Sequence, residues 1–303
     1  MAEILRPGHK REIGLDKDNK MKNNFLYLLI LGLLLACSPA ERSEEDAAAS
    51  KHSGPREPDR YQEYLWCHNG SNYSKESFDA SQAYWRQMVE ESDVPPFGHF
   101  SLFPKFDESN FDRIVGLIWN DKASRDAGWA AYIESGIEEK LQEKFPGVET
   151  CAGDGSDELF AVNVYQPRPA TVAMGDQQSK GRIASYQFCT YNEGKEGSDL
   201  RPVAIDAYGA WLDDFEAENG ATEYNWAYFA PDFAPESSKA SDGVPNTYDF
   251  VWLNSWASEE EEAIGMAAYA ASGQSIQAGF DEIIDCSDPL RYDLEINIRP
   301  ATP

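Results

Sequence analysis

His68 and His99 are the residues of the folded part of this chain whose side chains titrate near neutral pH, which makes them the first candidates for proton transfer. Facing one pocket, either could serve as a general base. Placed separately, His99 reads as a packed strand residue and His68 as a loop residue beside Cys67. The chain holds no Gly-x-Ser-x-Gly elbow, no phosphate-binding Gly-rich loop and no His-Glu-x-x-His pair, so the chemistries those motifs carry are not expected. Residues 154–158 (DGSDE) lack the twelve-residue calcium-loop pattern and read as a turn. The acidic run 259–262 follows Ser258, where a helix N-terminus favours negative charge, and reads as capping. No metal site is expected.

The chain around these residues repeats itself. Cys67, Trp85, Pro104, Asp112, Trp119, Gly128, Tyr132, Cys151 and Asn163 recur in order as Cys189, Trp211, Pro231, Asp249, Trp256, Gly265, Tyr269, Cys286 and Asn297, at shifts of 122 to 137 residues. A few loop insertions account for the drift. Four of the five cysteines lie beyond Cys37 and allow three pairings, and the duplication selects the one in which each copy closes its own bridge, Cys67–Cys151 and Cys189–Cys286. Their spacing is not that of a CxxC redox or zinc motif. His68 and His99 have Thr190 and Trp226 as counterparts, so any histidine chemistry belongs to the first copy alone.

Each copy reads as β-α-β-β-α-β. In the first, residues 61–68, 97–103, 113–119 and 159–165 read as strands; helices cover the stripe of Phe78, Ser81, Trp85, Met88 and Val89 and the stretch 122–144. In the second, strands are expected at 183–190, 224–230, 248–255 and 293–298, with helices over 203–216 and from 259 to 271. This order is that of a ferredoxin-like sheet with strands 4-1-3-2. The expected fold class is therefore α+β, with tandem ferredoxin-like repeats at 61–167 and 182–300 joined by a linker at 168–181.

The third-strand pattern Phe111-Asp112-Arg113-Ile114…Trp119, repeated as Tyr248-Asp249-Phe250-Val251…Trp256, and the helical Gly128-x-Ala-Ala-Tyr132, repeated at Gly265–Tyr269, resemble the dimeric α/β-barrel superfamily. That superfamily includes antibiotic-biosynthesis-monooxygenase-like, NIPSNAP-like, EthD-like and stress-responsive barrel proteins. The resemblance implies an intramolecular α/β barrel, helices outside, a pocket between the sheets, and a monomer. Tyr64, Trp66, Trp119, Tyr186, Phe188, Trp226, Asn254 and Trp256 are the candidates to line such a pocket. Three functions fit: a binder of a small, mostly apolar molecule with no cofactor, a cofactor-independent monooxygenase-like enzyme with His68 or His99 as base, and a haem protein.

The front of the chain resembles a bacterial lipoprotein signal: Met21-Lys22-Asn23-Asn24, an apolar run from Phe25 to Leu35, then Leu34-Leu35-Ala36-Cys37. The resemblance implies a signal peptide over 21–37, acylation of Cys37, attachment to a lipid bilayer and a place in the cell envelope, at the outer membrane of a Gram-negative cell. Residues 1–20 read as an extension upstream of the true start, and 38–60 as a polar, disordered tether. Beyond Cys37 the chain carries 20 Lys and Arg against 49 Asp and Glu, a formal charge of −29. Such a surface repels phosphate backbones, so nucleic acid is not an expected partner.

Overall fold

The computed structural model describes residues 57–95, 97–107, 109–151, 160–168, 179–232 and 248–298. The signal-like segment 21–37 with Cys37, the tether up to residue 56, the turn 154–158, linker residues 169–178 and the insertion 235–246 lie outside the described residues.

The chain alternates strands and helices: β1 (Arg60–Asn69), α1 (Lys75–Glu90), β2 (Gly98–Pro104), β3 (Arg113–Trp119), α2 (Lys122–Ser135), α3 (Ile137–Lys144), β4 (Glu149–Cys151) and β5 (Phe160–Tyr165). It continues with β6 (Ser179–Tyr191) and a helix α4 in three consecutive pieces, Gly197–Arg201, a π-helical segment Pro202–Ala207 and Tyr208–Asn219. Then come β7 (Asn225–Pro231), β8 (Phe250–Trp256), α5 (Glu259–Ser272), α6 (Gln274–Asp281), β9 (Ile284–Cys286) and β10 (Leu290–Ile298).

Eight strands close into an antiparallel barrel, in the order β10-β2-β3-β1-β5-β7-β8-β6 and back to β10. Closure leaves these eight no free edge, and the short β4 and β9 add only to β1 and β6. One pairing pattern occurs twice: β2-β3-β1-β5 in the first half, β7-β8-β6-β10 in the second. The halves meet at two seams, β5–β7 and β10–β2.

Strand alternation sorts the side chains into three cores. Tyr64, Phe100, Leu102, Val162, Tyr186, Phe229, Val251 and Leu294, among others drawn from all the barrel strands, fill the interior. On the outer face, α1, α2 and α3 cover Tyr61, Val115, Leu117 and Trp119 in the first half. In the second half, α4 and α6 cover Ile183, Trp226, Phe250, Trp252 and Trp256.

The bridges Cys67–Cys151 and Cys189–Cys286 both form, each with its Cα atoms 4.0 Å apart. Their setting differs from the sequence expectation. The second cysteine of each pair does not simply precede the fourth long strand; it sits in a separate three-residue strand, directly opposite its partner. The stretch 122–144 is likewise two helices, because Gly136 adopts φ 61° and ends α2.

Candidate functional site

The barrel interior differs from the pocket that the resemblance implied. Tyr64, Trp66, Tyr186 and Phe188 do face inward together, but the space they border with Leu102 and Tyr292 is only about 30 Å³. Rings fill the rest: Tyr64 meets Tyr186 edge-on at 5.9 Å, Tyr186 meets Tyr292 at 5.6 Å, and the Gln62 amide donates to the Tyr64 hydroxyl at 2.5 Å. Burial pushes the Tyr64 and Tyr186 phenols up, so both stay protonated.

The larger cavity, about 460 Å³, lies outside the barrel, between the second-half sheet and α4, α5 and α6. Its origin is visible when the two halves are compared row by row. Across the first-half sheet the ladders align Ala161, Glu63, Leu117 and His99; across the second they align Arg291, Ser185, Asn254 and Trp226. In the first half, Glu63 is fully buried and gathers three donors: Trp119 Nε1 at 3.0 Å, Trp129 Nε1 at 2.8 Å and Arg125 Nε at 2.5 Å. These side chains occupy the layer beneath α2. The helix also seats closely, since a Cβ on Gly128 would stand 2.2 Å from the Trp119 ring.

Ser185 replaces Glu63 in the second half, Glu262 and Met266 occupy the α5 positions of Arg125 and Trp129, and no residue of α5 is buried. A Cβ on Gly265 would approach Trp256 no closer than 3.8 Å. The helix thus stands off its sheet, and the gap is the cavity. The ion pair of the first half is inverted and displaced: Arg291 on β10 donates from Nε to Glu262 on α5 at 3.0 Å, at the rim.

Aromatic side chains wall the space. Trp226 stacks on Trp252 at 4.4 Å and 3°, Tyr208 stacks on Trp211 at 5.8 Å, and Tyr269 meets Trp211 edge-on at 5.2 Å. A hydrogen-bonded chain fixes the polar floor. The Tyr208 and Tyr224 hydroxyls lie 2.7 Å apart, Tyr224 donates to Asn254 Oδ1 at 2.8 Å, and Trp252 Nε1 donates to the same oxygen at 3.1 Å. Burial raises the pKa of Tyr208 and Tyr224, and that of Tyr269 to about 12.

Of the residues the sequence singled out, Asn254 and Trp256 line this cavity, and Trp226 is buried behind Trp252. Trp119 instead belongs to the packed first-half layer, bonded to Glu63. His68 and His99 are not brought together. His68 is exposed near the end of β1, opposite Thr150, whereas His99 is 4 % exposed in the outer layer, its ring 4.5 Å from that of Trp85. Neither borders either cavity. Glu63 and Ser185 carry the difference between the halves, and the sequence reading passed over both.

Desolvation, with the charges of Arg113 and Arg86, holds the His99 pKa well below its ordinary 6.5. The native imidazole stays neutral while the unfolded chain takes up a proton, so stability is complete above about pH 6.5 and falls as pH drops below it. From pH 7 to 5.5 the wild type should lose about 1 kcal/mol more than His99→Phe, read from urea midpoints. Equal losses would show that the imidazole is solvated.

A haem would need an axial ligand. Among the described residues no histidine lines the larger cavity, Cys286 is held in its disulfide, the buried phenols are protonated, and Met266 on α5 is exposed. Among the described residues the larger cavity thus offers a haem neither a histidine nor a free thiol. The nearest approach to a metal cluster among the described residues is Cys67, Glu149 and Cys151; its two sulfurs are bonded to each other, and Arg113 takes Glu149.

No protein-family model matches the chain, and no curated protein matches it. Solved structures do resemble it in shape. A mutant chlorite dismutase from Candidatus Nitrospira defluvii is 11 % identical, with a TM-score of 0.45 over 80 % of this chain and 92 % of that one. The enzyme from the same organism in complex with imidazole is 9 % identical, with a TM-score of 0.44 over 84 % and 95 %. A candidate monooxygenase from Fusobacterium nucleatum subsp. nucleatum is 9 % identical, with a TM-score of 0.40 over 80 % and 96 %. Likenesses of this strength bring no activity and no residue roles to this chain.

Proposed function

We propose that this chain is a lipid-anchored envelope protein that binds a small, mostly apolar molecule in the outer cavity of its second half. The observation that carries the reading is the aromatic-walled space of about 460 Å³, a volume ordinary for small-molecule sites. The matching space in the first half is filled by the chain's own Glu63, Trp119 and Trp129. One copy is built solid and the other open, as expected where a duplicated scaffold keeps one copy for stability and one for binding.

The twofold pairing pattern supports a further reading, that the barrel consists of two ferredoxin-like units. Because the halves close on each other within one chain, the protein acts as a monomer. Cys37 is its acylated residue, and the polar segment after it is the tether.

The test is extraction of small molecules from the purified full chain, identified by mass spectrometry. Wild type is expected to yield a mostly apolar species that Gly265→Leu, whose side chain would stand in the cavity, does not retain. Equal yields from both would rule the cavity out. For the anchor, Cys37→Ala is expected to move the chain from the membrane to the soluble fraction. If it stays with the membrane, the acylation reading is wrong.

A further inference from the structure

The cavity also says which chemical group it receives. Trp119 and Trp256 occupy the same place in the two halves, since Trp119 pairs across its ladder with Tyr61 and Trp256 with Ile183, each two residues before Glu63 or Ser185. Trp119 Nε1 donates to the Glu63 carboxylate at 3.0 Å. Trp256, only 5 % exposed and bordering the cavity, has no such acceptor, because Ser185 stands where Glu63 would be.

Two more donors border the same cavity, on the same face of the sheet. Ser185 lies directly opposite Asn254 across β6 and β8, and its hydroxyl has no partner among the described residues. The Asn254 oxygen already accepts from Tyr224 and Trp252, which orients the amide and leaves its NH₂ unpaired. All three donors face the cavity and find no acceptor on the chain, so an oxygen brought by a ligand can take the place that the Glu63 carboxylate fills in the first half.

Charge decides what kind of oxygen. The first half neutralises its carboxylate with Arg125, whose position in the second half is taken by Glu262. The one arginine on the cavity, Arg291, is already paired with that Glu262, and Glu261, Asp281 and Asp285 also border the space. An anion placed there would meet no unpaired cation. A ligand cation would find Glu262 taken by Arg291, Glu261 accepting from the backbone of Glu223 and Ala257, Asp281 accepting from Gln277, and Asp285 exposed to solvent.

We propose that the second-half cavity recognises an uncharged carbonyl oxygen on a flat apolar molecule, held by Trp256 Nε1, Ser185 Oγ and the Asn254 amide in the position that the Glu63 carboxylate occupies in the first half. This rests on the cavity being a small-molecule site, and the test separates the two claims. The full chain is titrated calorimetrically with 2-acetylnaphthalene, 2-ethylnaphthalene and 2-naphthoate, which share one ring system and differ in the group presented.

The ketone is expected to bind about tenfold more tightly than the ethyl compound, and the carboxylate more weakly than the ketone. Trp256→Phe should abolish the ketone's advantage and leave the ethyl compound unchanged. Ser185→Glu, which installs the first half's own carboxylate, should exclude the ketone while the circular dichroism spectrum stays native; it serves also where Trp256→Phe does not fold. Equal binding of ketone and ethyl compound, tightest binding of the carboxylate, or an unaltered preference in both variants would overturn the carbonyl assignment while leaving the cavity as a binding site. Failure of all three compounds to bind would overturn both claims.

Discussion

Replacing all four half-cystines, Cys67, Cys151, Cys189 and Cys286, by alanine is expected to leave the chain unfolded at physiological temperature. The two bridges close loops of 84 and 97 residues. In the chain-entropy account, each restriction of the unfolded state stabilises the fold by about 4–5 kcal/mol. Their sum, roughly 9 kcal/mol, is comparable with the whole stability of an ordinary domain. The bridges serve separate halves, so their effects should add. Cys67 and Cys189 are also completely buried, and alanine there leaves a void. Urea titration of the two single-bridge variants and of the double variant measures this directly. A double variant that still unfolds cooperatively within about 2 kcal/mol of wild type would mean that the β4 and β9 ladders hold the ends together without sulfur.

Glu63→Ala should be the most damaging single substitution outside the cysteines. It removes the acceptor of Trp119 Nε1, Trp129 Nε1 and Arg125 Nε at once and leaves a guanidinium only 23 % exposed without its main counter-ion. Breaking a buried pair in this way costs about 3–5 kcal/mol, which for a domain of this size lowers the melting temperature on the order of 10 °C. Ser185→Ala, at the matching position, should cost well under 1 kcal/mol, because its hydroxyl makes no bond to lose. A double-mutant cycle of Glu63→Ala with Arg125→Ala isolates the pair from the indole contacts. Equal costs at positions 63 and 185 would remove the asymmetry on which the reading of the second half depends.

Much of the scaffold was legible in the chain itself. The repeated cysteine, tryptophan and Gly-x-Ala-Ala-Tyr positions gave the two-copy organisation, and with it the bridges Cys67–Cys151 and Cys189–Cys286. Period-two alternation located the long strands, but three-residue strands such as β4 and β9 are too short to show a period. The site was harder to see. Alternation says that Tyr64 and Tyr186 share one face, Trp119 and Trp256 the other, without saying which face holds the space. That depends on how far a helix stands from its sheet, which is set by contacts such as Gly128 on Trp119. The sequence does carry one signal of the asymmetry: Glu63 lies on the same strand face as Tyr61 and Cys67, a charge in an apolar row, and the 122-residue shift pairs it with a serine.

The strand β10 is hydrogen-bonded to β6 on one side and to β2 on the other, so residues 290–298 form the stave that completes the ring. A ribosome delivers that stave after every other strand of the barrel. Until it arrives, β2 and β6 present bare edges, and the first half alone exposes both β2 and β5. Nascent chains are therefore open to capture by chaperones until β10 has been made. Premature stop codons anywhere before residue 290 should accordingly yield aggregates or proteolytic fragments in place of a smaller working protein.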